Sequence, residues 1–553
     1  MDRRTLLFIG IAITIIVAYQ ELVLKRFMPS QPTDSASRSV SEPGETQPSP
    51  DAGSAKPPAP APEPEARTAE PGARIEGRRI RVETDLYAAT VNTAGGRIES
   101  FTLKKFRSLK DPNSPPLDLI SPGGDAELPL GLELRGERVW SDARSLYETT
   151  ASDVVVSGTD RATIELRTSL GGQPIVKRLT FQGNQYPIEL RVETPAAGAL
   201  ARELTSPGPD GQPAGVALVW SKSVQRHADA GGVYEGAAAL VDTKLVQIPI
   251  SKLEKPDNLT GDIRWAGFQD HYFLSAVAPD HATLVALRPH GDTIESKIVT
   301  PRQGQSPLAI DYTLFLGPKE SSVLEAADHG LDRSLNLGWF GPISLFLLWV
   351  LNLSHRVTGN YGVDIILLTI LVKIAFWPLT QKSFQSMREM QKLQPEMAKL
   401  REKYKDDPKQ MNAEVMELYK RHKVNPLGGC LPMVLQMPVF FGLYQALSST
   451  IQLRHAPFLG WITDLSTPER LPILGYGVPI LTILLGVSMF LQQRMAPPAG
   501  DPAQQKVMMF MPLIFTYMFI GFPAGLTLYW LTNNLLTIAQ QYFIIRRVAP
   551  STA

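Results

Sequence analysis

The chain has 553 residues, 44% of them hydrophobic and 20% charged, and its 55 Lys+Arg against 54 Asp+Glu leave a formal net charge of +1. These averages blend a polar first half with long uncharged stretches after Gly338, which excludes a single soluble globule. Balanced charge argues against a nucleic-acid binder held by a generally basic surface, and the single cysteine, Cys430, excludes an intramolecular disulfide and a paired-cysteine zinc or redox site.

Thr5 to Leu24 form an apolar run of roughly 20 residues, enough helix to cross a hydrocarbon core of ~30 Å. Residues 1–27 are therefore expected to be a transmembrane anchor. A cleaved signal peptide is the alternative, opposed by the lack of a small-x-small cleavage site before Pro29. Residues 28–73 contain eleven prolines and few large apolar side chains, the composition of a disordered or partly extended tether.

Across residues 74–335 short alternating runs recur, such as Arg79-Ile-Arg-Val-Glu, Thr163-Ile-Glu-Leu-Arg and Val216-Ala-Leu-Val-Trp. Period-two patterning broken by Gly, Pro, Asn and Asp predicts a large antiparallel β-sandwich. His227, His271 and His281 are scattered and no carboxylate pair stands out, so a structural or partner-docking role is expected there rather than catalysis. Residues 336–358 read as a helix along the outer membrane interface, with Trp339 and Trp349 in the headgroup zone and a re-entrant segment as the alternative.

Residues 359–380 read as the second transmembrane helix. Residues 381–426 predict a cytoplasmic helical hairpin: apolar residues repeat at three or four, and Asp406-Asp407-Pro408 breaks the run. Its face includes Met387, Met390, Met397 and Met411, adaptable side chains that suit varied apolar partners or self-packing. Residues 427–547 hold transmembrane helices three to six, with the fourth read from Leu471 to Gln493 and the last two divided by Phe522-Pro-Ala-Gly. Residues 548–553 form a short tail. Eleven Lys/Arg between Gln381 and Pro426 place that loop in the cytoplasm. Alternation then puts both termini inside and the β-rich region outside.

Lys373 is the most informative residue. A charge at the centre of a span costs roughly 2.5–3.5 kcal/mol and persists only with a partner or water. Asp364 lies nine residues back, and no acid falls in spans three to six. Snorkelling to the cytoplasmic surface is one reading. The other is a water-filled groove that presents an unpaired positive charge. Thr369 sits one turn before Lys373, and the last helix carries Trp530, Asn533, Asn534, Thr537, Gln540 and Gln541 at three-to-four spacing. Gln436 and Tyr517 are further candidates for the lining, although polar residues also glue packed helices together. Pro432, Pro438, Pro479 and Pro512 predict kinked, loosely packed spans.

At these residues a resemblance enters. Lys423-Val-Asn-Pro-Leu-Gly-Gly-Cys-Leu-Pro-Met-Val-Leu-Gln-Met-Pro-Val-Phe closely resembles the start of the third span in the YidC group of Oxa-type membrane-protein insertases. Gln504-Gln-Lys-Val-Met-Met-Phe-Met-Pro, Phe522-Pro-Ala-Gly-Leu-Thr-Leu-Tyr-Trp and Leu371-Val-Lys-Ile-Ala-Phe-Trp-Pro-Leu-Thr are similar to its other signatures. The first anchor and large β-domain resemble the Gram-negative form.

The resemblance implies a hydrophilic groove open to cytoplasm and lipid, with the family's positive residue at Lys373 and substrate-contact positions at Thr369 and Trp530. The family often has arginine at the first and tyrosine at the last, so bidentate and phenolic contacts are not carried over. It implies nascent membrane proteins as substrates, with the Sec translocon, the ribosome and signal recognition particle pathway, and membrane lipids as partners. The tail after Arg547 is too short to bind ribosomal nucleic acid as a long basic tail would. The fold class expected is thus a membrane protein of six transmembrane α-helices, a periplasmic β-sandwich and a cytoplasmic helical hairpin in the bacterial inner membrane. Neither catalytic residues, metal nor cofactor is expected. The rivals are a secondary transporter using Lys373 as its binding charge, and an anchored carbohydrate-processing enzyme.

Overall fold

The computed structural model describes residues 76–548 apart from 110, 112, 121–127, 195–203, 205, 209–210, 224–234, 291–292, 302–307, 405–406, 423, 425–430 and 496–501. The expected anchor (1–27), the proline-rich linker (28–73), the tail beyond Val548, His227 and Cys430 lie outside them.

The alternating segments form three sheets. An eight-stranded antiparallel sheet runs in the order Lys244–Pro249, Gly236–Val241, Ile263–Gln269, Phe273–Pro279, Leu308–Pro318, Ile188–Thr194, Gln173–Gln182 and Arg161–Leu170. A six-stranded antiparallel sheet runs Asp257–Thr260, Leu284–His290, Thr293–Pro301, Gly215–Ser223, Gly131–Arg135, Val139–Ser141. A five-stranded sheet is built mainly from Arg79–Glu83, Tyr87–Asn92 and Arg97–Arg107. Its edge pairing of Arg79–Glu83 with Val154–Val155 is parallel, a departure from the all-antiparallel expectation. Inward residues of all three sheets, including Ile80, Phe101, Leu134, Leu179, Trp220 and Ile298, share one buried core. Because side chains alternate across a strand, each sheet needs this partner surface to cover one face.

This core contains a buried ion pair. Lys177 Nζ lies 2.6 Å from Asp142 Oδ2 and donates to the carbonyls of Gly95 and Leu130 at 3.1 and 2.7 Å, with no exposed surface on either side chain. Burial pushes the Lys177 ammonium below its ordinary value and Asp142 opposes that shift.

After the last strand come α1 (Ser321–Ala326), α2 (Gly341–Thr358) and α3 (Tyr361–Lys392). They are followed by α4 (Gln394–Lys403), α5 (Pro408–Arg421), α6 (Leu431–Ser449), α7 (Ile480–Met495), α8 (Pro502–Phe519) and α9 (Ala524–Val548). Asn360 caps α3 by accepting from the backbone N–H groups of Gly362 and Val363. Among the described residues, α3 is the one helix long and apolar enough to cross a membrane. It exposes the apolar stripe Leu367, Leu371, Ile374 and Trp377, and α7 and α8 also carry exposed apolar side chains, surfaces suited to lipid rather than water.

Two expectations are corrected. The segment read as the start of the fourth span is a two-stranded hairpin, Leu471–Ile473 with Tyr476–Val478. Its tip has Leu474 at φ 50 and Gly475 at φ 84, the double positive φ that a tight hairpin requires, and α7 begins only at Ile480. Pro432 and Pro479 do not kink helix interiors: Pro432 lies in the first turn of α6 and Pro479 precedes α7, where the missing N–H has no helical partner to lose. α3 runs past residue 380 to Lys392 with Pro378 inside it, a break follows at Leu393, and α5 begins at Pro408 where Asp-Asp-Pro predicts a new helix.

Below that break, Leu393, Leu418 and Val424 form a small core with Met390, Met397 and Tyr419. The Tyr419 hydroxyl donates to Met397 Sδ at 3.2 Å. Met387 and Met411 stay half-buried outside this core, so self-packing uses only part of the methionine face. Asp407 caps α5 through Lys409 and Gln410.

The β-domain and helical bundle are stitched by the short turn Ile451–Leu453. Ile451 is buried in the core of the sheets and Leu453 in that of the helices. Close helix contact depends on small residues. A Cβ on Gly442 of α6 would stand 2.8 Å from Ile343 of α2, and one on Gly486 of α7 would stand 2.2 Å from Thr516 Oγ1 of α8.

Candidate functional site

The helical period places Thr369, Val372, Phe376 and Thr380 along the inward side of α3 and Trp530, Asn533, Thr537 and Gln540 along α9. Where the two helices pack, Lys373 Nζ donates to Thr537 Oγ1 at 2.7 Å. Thr537 Oγ1 in turn donates to the Asn533 carbonyl at 2.7 Å, and Gln436 Nε2 on α6 donates to Asn533 Oδ1 at 2.7 Å. A continuous polar seam thus joins α3, α9 and α6. On the neighbouring side of α9, Asn534 Nδ2 donates to Ser488 Oγ of α7 at 2.9 Å.

The seam brings together three of the seven residues expected to line a groove, Lys373, Gln436 and Asn533, whereas Asn534 bonds Ser488 on the neighbouring side of α9. Thr369 is buried, but its hydroxyl donates to the Ile365 carbonyl one turn back and not toward Lys373. Trp530 packs among aromatic rings, 4.7 Å from Phe440 and 5.3 Å from Phe519. Tyr517 is 74% exposed, on the same face of α8 as Phe510 and Leu513. Periodicity along one helix cannot tell which of its faces meets its neighbours.

Lys373 is half-buried, and among the described residues no carboxylate pairs with it. Asp364, the nearest acid in sequence, is fully buried at the other end of α3. It accepts from Thr358 Oγ1 at 2.6 Å and lies 2.8 Å from His355 Nδ1, with the His355 ring stacked on Tyr361 at 3.6 Å. A cleft lined by Val372, Lys373, Phe376, Leu379, Thr380 and Gln436 runs beside the ammonium, with about 10 Å³ open to water. That is room for roughly one water molecule. Sequence reading missed Thr537 as a lysine partner and Ser488 altogether; a serine in an apolar helix one turn from Leu485 gives no signal of what it faces.

Comparison with known proteins accounts for both halves. Residues 79–350 match the family model of the YidC periplasmic domain, and residues 353–551 match that of the 60Kd inner membrane protein. A protein named membrane protein insertase YidC from Pelobacter propionicus is 39% identical, covering 99% of this chain and 100% of its own. One of the same name from Syntrophus aciditrophicus is 38% identical, covering 98% and 99%. A solved structure of a YidC insertase with its first transmembrane domain resolved is 18% identical, with a TM-score of 0.37, covering 85% of this chain and 93% of its own. The transporter and carbohydrate-enzyme readings are not favoured, since relatives matching from end to end carry the insertase name. With sheets and helical bundle matched in one chain and identity near two-fifths over its whole length, the chain belongs to the YidC family of membrane-protein insertases.

Proposed function

We propose that this chain carries out its family's activity, the insertion of membrane proteins into the bacterial inner membrane, by way of the polar seam at Lys373. The observation that carries the reading is the pairing of Lys373 with a hydroxyl rather than a carboxylate. A carboxylate would cancel the charge; Thr537 leaves it whole. A short hydrophilic segment of a nascent chain opens the cleft between α3 and α9, and the ammonium offsets part of the desolvation of its acidic groups. The apolar segment then leaves sideways into lipid. Thr369 and Trp530 flank this route and Tyr517 meets the client on the lipid side.

The work requires neither covalent catalysis nor nucleotide hydrolysis. Moving one negative charge outward across an inside-negative membrane gains ~2.3 kcal/mol per 100 mV, comparable with the cost of drying a polar segment. Six spans, cytoplasmic termini and an exported β-domain complete the topology; the eleven Lys/Arg of residues 381–426 support that orientation. The unpacked remainder of the methionine face, with Met387 and Met411, receives emerging chains, alone or beside the Sec translocon, the ribosome and signal recognition particle pathway.

The test is insertion of a short-tailed client into proteoliposomes containing the full chain. Lys373→Ala should lower the yield for clients whose exported segment is acidic and spare neutral ones. Unchanged yield across both classes refutes the electrostatic role.

A further inference from the structure

A second, larger cavity of about 430 Å³ lies where the β-domain meets the bundle, remote from the polar seam. Its lining includes Glu320, two residues past the strand Leu308–Pro318, with Arg356, Trp349 and Leu353 of α2, Tyr361 of α3 and Gln452. Its volume falls within the range of roughly 300–1,000 Å³ that small-molecule sites occupy. The lining offers one acid, one cation and an exposed apolar lip, 60% exposed at Trp349 and 49% at Leu353.

The two charges do not neutralise each other, since no ion pair joins them, and Arg356 has no hydrogen-bond partner among the described residues. Glu320 is oriented by Ser322, whose hydroxyl donates to it at 3.2 Å. Tyr361 is the first residue of the spanning helix α3, so the cavity sits at the level where headgroups meet the water. An arginine fork matches a phosphodiester, a carboxylate matches a primary ammonium, and a tryptophan at the lip suits the glycerol region.

We infer that this cavity binds the headgroup of a zwitterionic, primary-amine phospholipid from the leaflet on the β-domain side, with Arg356 on the phosphate and Glu320 on the ammonium. The acyl chains lie along the exposed face of α2 at Trp349 and Leu353. An anionic headgroup lacking the amine meets Glu320 with repulsion, and a choline headgroup cannot donate hydrogen bonds to it. The bound lipid fills the wedge between sheets and helices and sets the height of the β-domain over the bilayer. The inference rests on the reading of α2 as an interfacial helix.

The experiment is native mass spectrometry of the full chain released from micelles containing equal amounts of phosphatidylethanolamine, phosphatidylglycerol and phosphatidylcholine. Wild type should retain one phosphatidylethanolamine in several-fold preference to either rival. Arg356→Ala should lose it, and Glu320→Gln should bind phosphatidylethanolamine and phosphatidylglycerol alike. Equal retention of the three lipids by wild type, or a preference unchanged in Arg356→Ala, overturns the proposal. Displacement by soluble glycerophosphoethanolamine at matched concentration overturns the lipid source and leaves a free phosphoamine as the ligand. A nitroxide at Val357→Cys in a Cys430→Ser background reports depth separately. A fully aqueous label defeats the interfacial reading, whereas an interfacial label without headgroup preference defeats this site alone.

Discussion

Lys373 on α3 and Thr537 on α9 meet at 2.7 Å although 164 positions separate them in sequence. A lone hydroxyl holds the ammonium in place while leaving its charge uncancelled. Position and charge are therefore separable. Thr537→Val should remove an orientation worth about 1–3 kcal/mol to the folded state yet keep insertion of acidic clients. Lys373→Ala should lose that insertion, and Lys373→Arg should retain it. Thermal midpoints in detergent and proteoliposome insertion yields, measured on the same preparations, check both halves.

Gln436 and Asn533 provide a quieter test of the seam. Their bond joins α6 to α9, and polar pairs between membrane helices average ~0.6 kcal/mol with a maximum of ~1.7. A double-mutant cycle with Gln436→Leu and Asn533→Leu should return a coupling in that range. A coupling indistinguishable from zero would mean that the two amides are not partners in the bilayer.

At the other end of α3, Asp364 is buried and held by Thr358 and His355. Stripping both partners with Thr358→Val and His355→Ala leaves a buried carboxylate unsupported, a loss of about 3–5 kcal/mol. Asp364→Asn, which keeps an acceptor, should cost much less. Denaturation of the purified variants ranks them, and the reverse order would refute the assignment.

His271, in the β-domain, predicts an acid-sensitive step. Burial, reinforced by the ammonium of Lys319, holds its imidazole down at about 4. Between pH 4 and the ordinary value near 6.5 the unfolded chain binds a proton that the folded chain refuses, so stability is full above this window and falls as pH drops through it. The upper bound on the loss is ~3 kcal/mol. His271→Phe should flatten that part of the curve; thermal midpoints from pH 7 to 4 for both proteins measure the difference.

Gly486 tests the α7–α8 contact. Alanine there should cost about 1–3 kcal/mol through overpacking against Thr516. Pairing it with Thr516→Ala, which removes the obstructing atoms, should recover most of the loss in the same denaturation assay.

Local patterning reached a long way. The run Arg79-Ile-Arg-Val-Glu is a strand with the residues predicted and buries alternate positions, and Val216 to Trp220 fall within the strand Gly215–Ser223 but are buried throughout. Asp407 caps α5 where the Asp-Asp-Pro break predicts a new helix. The hairpin at Leu471–Val478 was hidden because a short apolar run has the same composition whether it continues a helix or pairs with its neighbour. The tip at Leu474 and Gly475 settles that through φ, which composition does not encode.

By itself the sequence determined that an unneutralised lysine sits in an apolar helix, that polar residues line one side of the last helix, and that the first half alternates as strands do. These follow from residue type and spacing along a single element. Which neighbour each face meets was decided only by tertiary packing: Thr537 for Lys373, His355 for Asp364, an exposed face for Tyr517, the core of the sheets for Ile451. Such pairings depend on how separate elements rotate and close against one another, and a contact across 164 residues leaves no trace in the period of either helix.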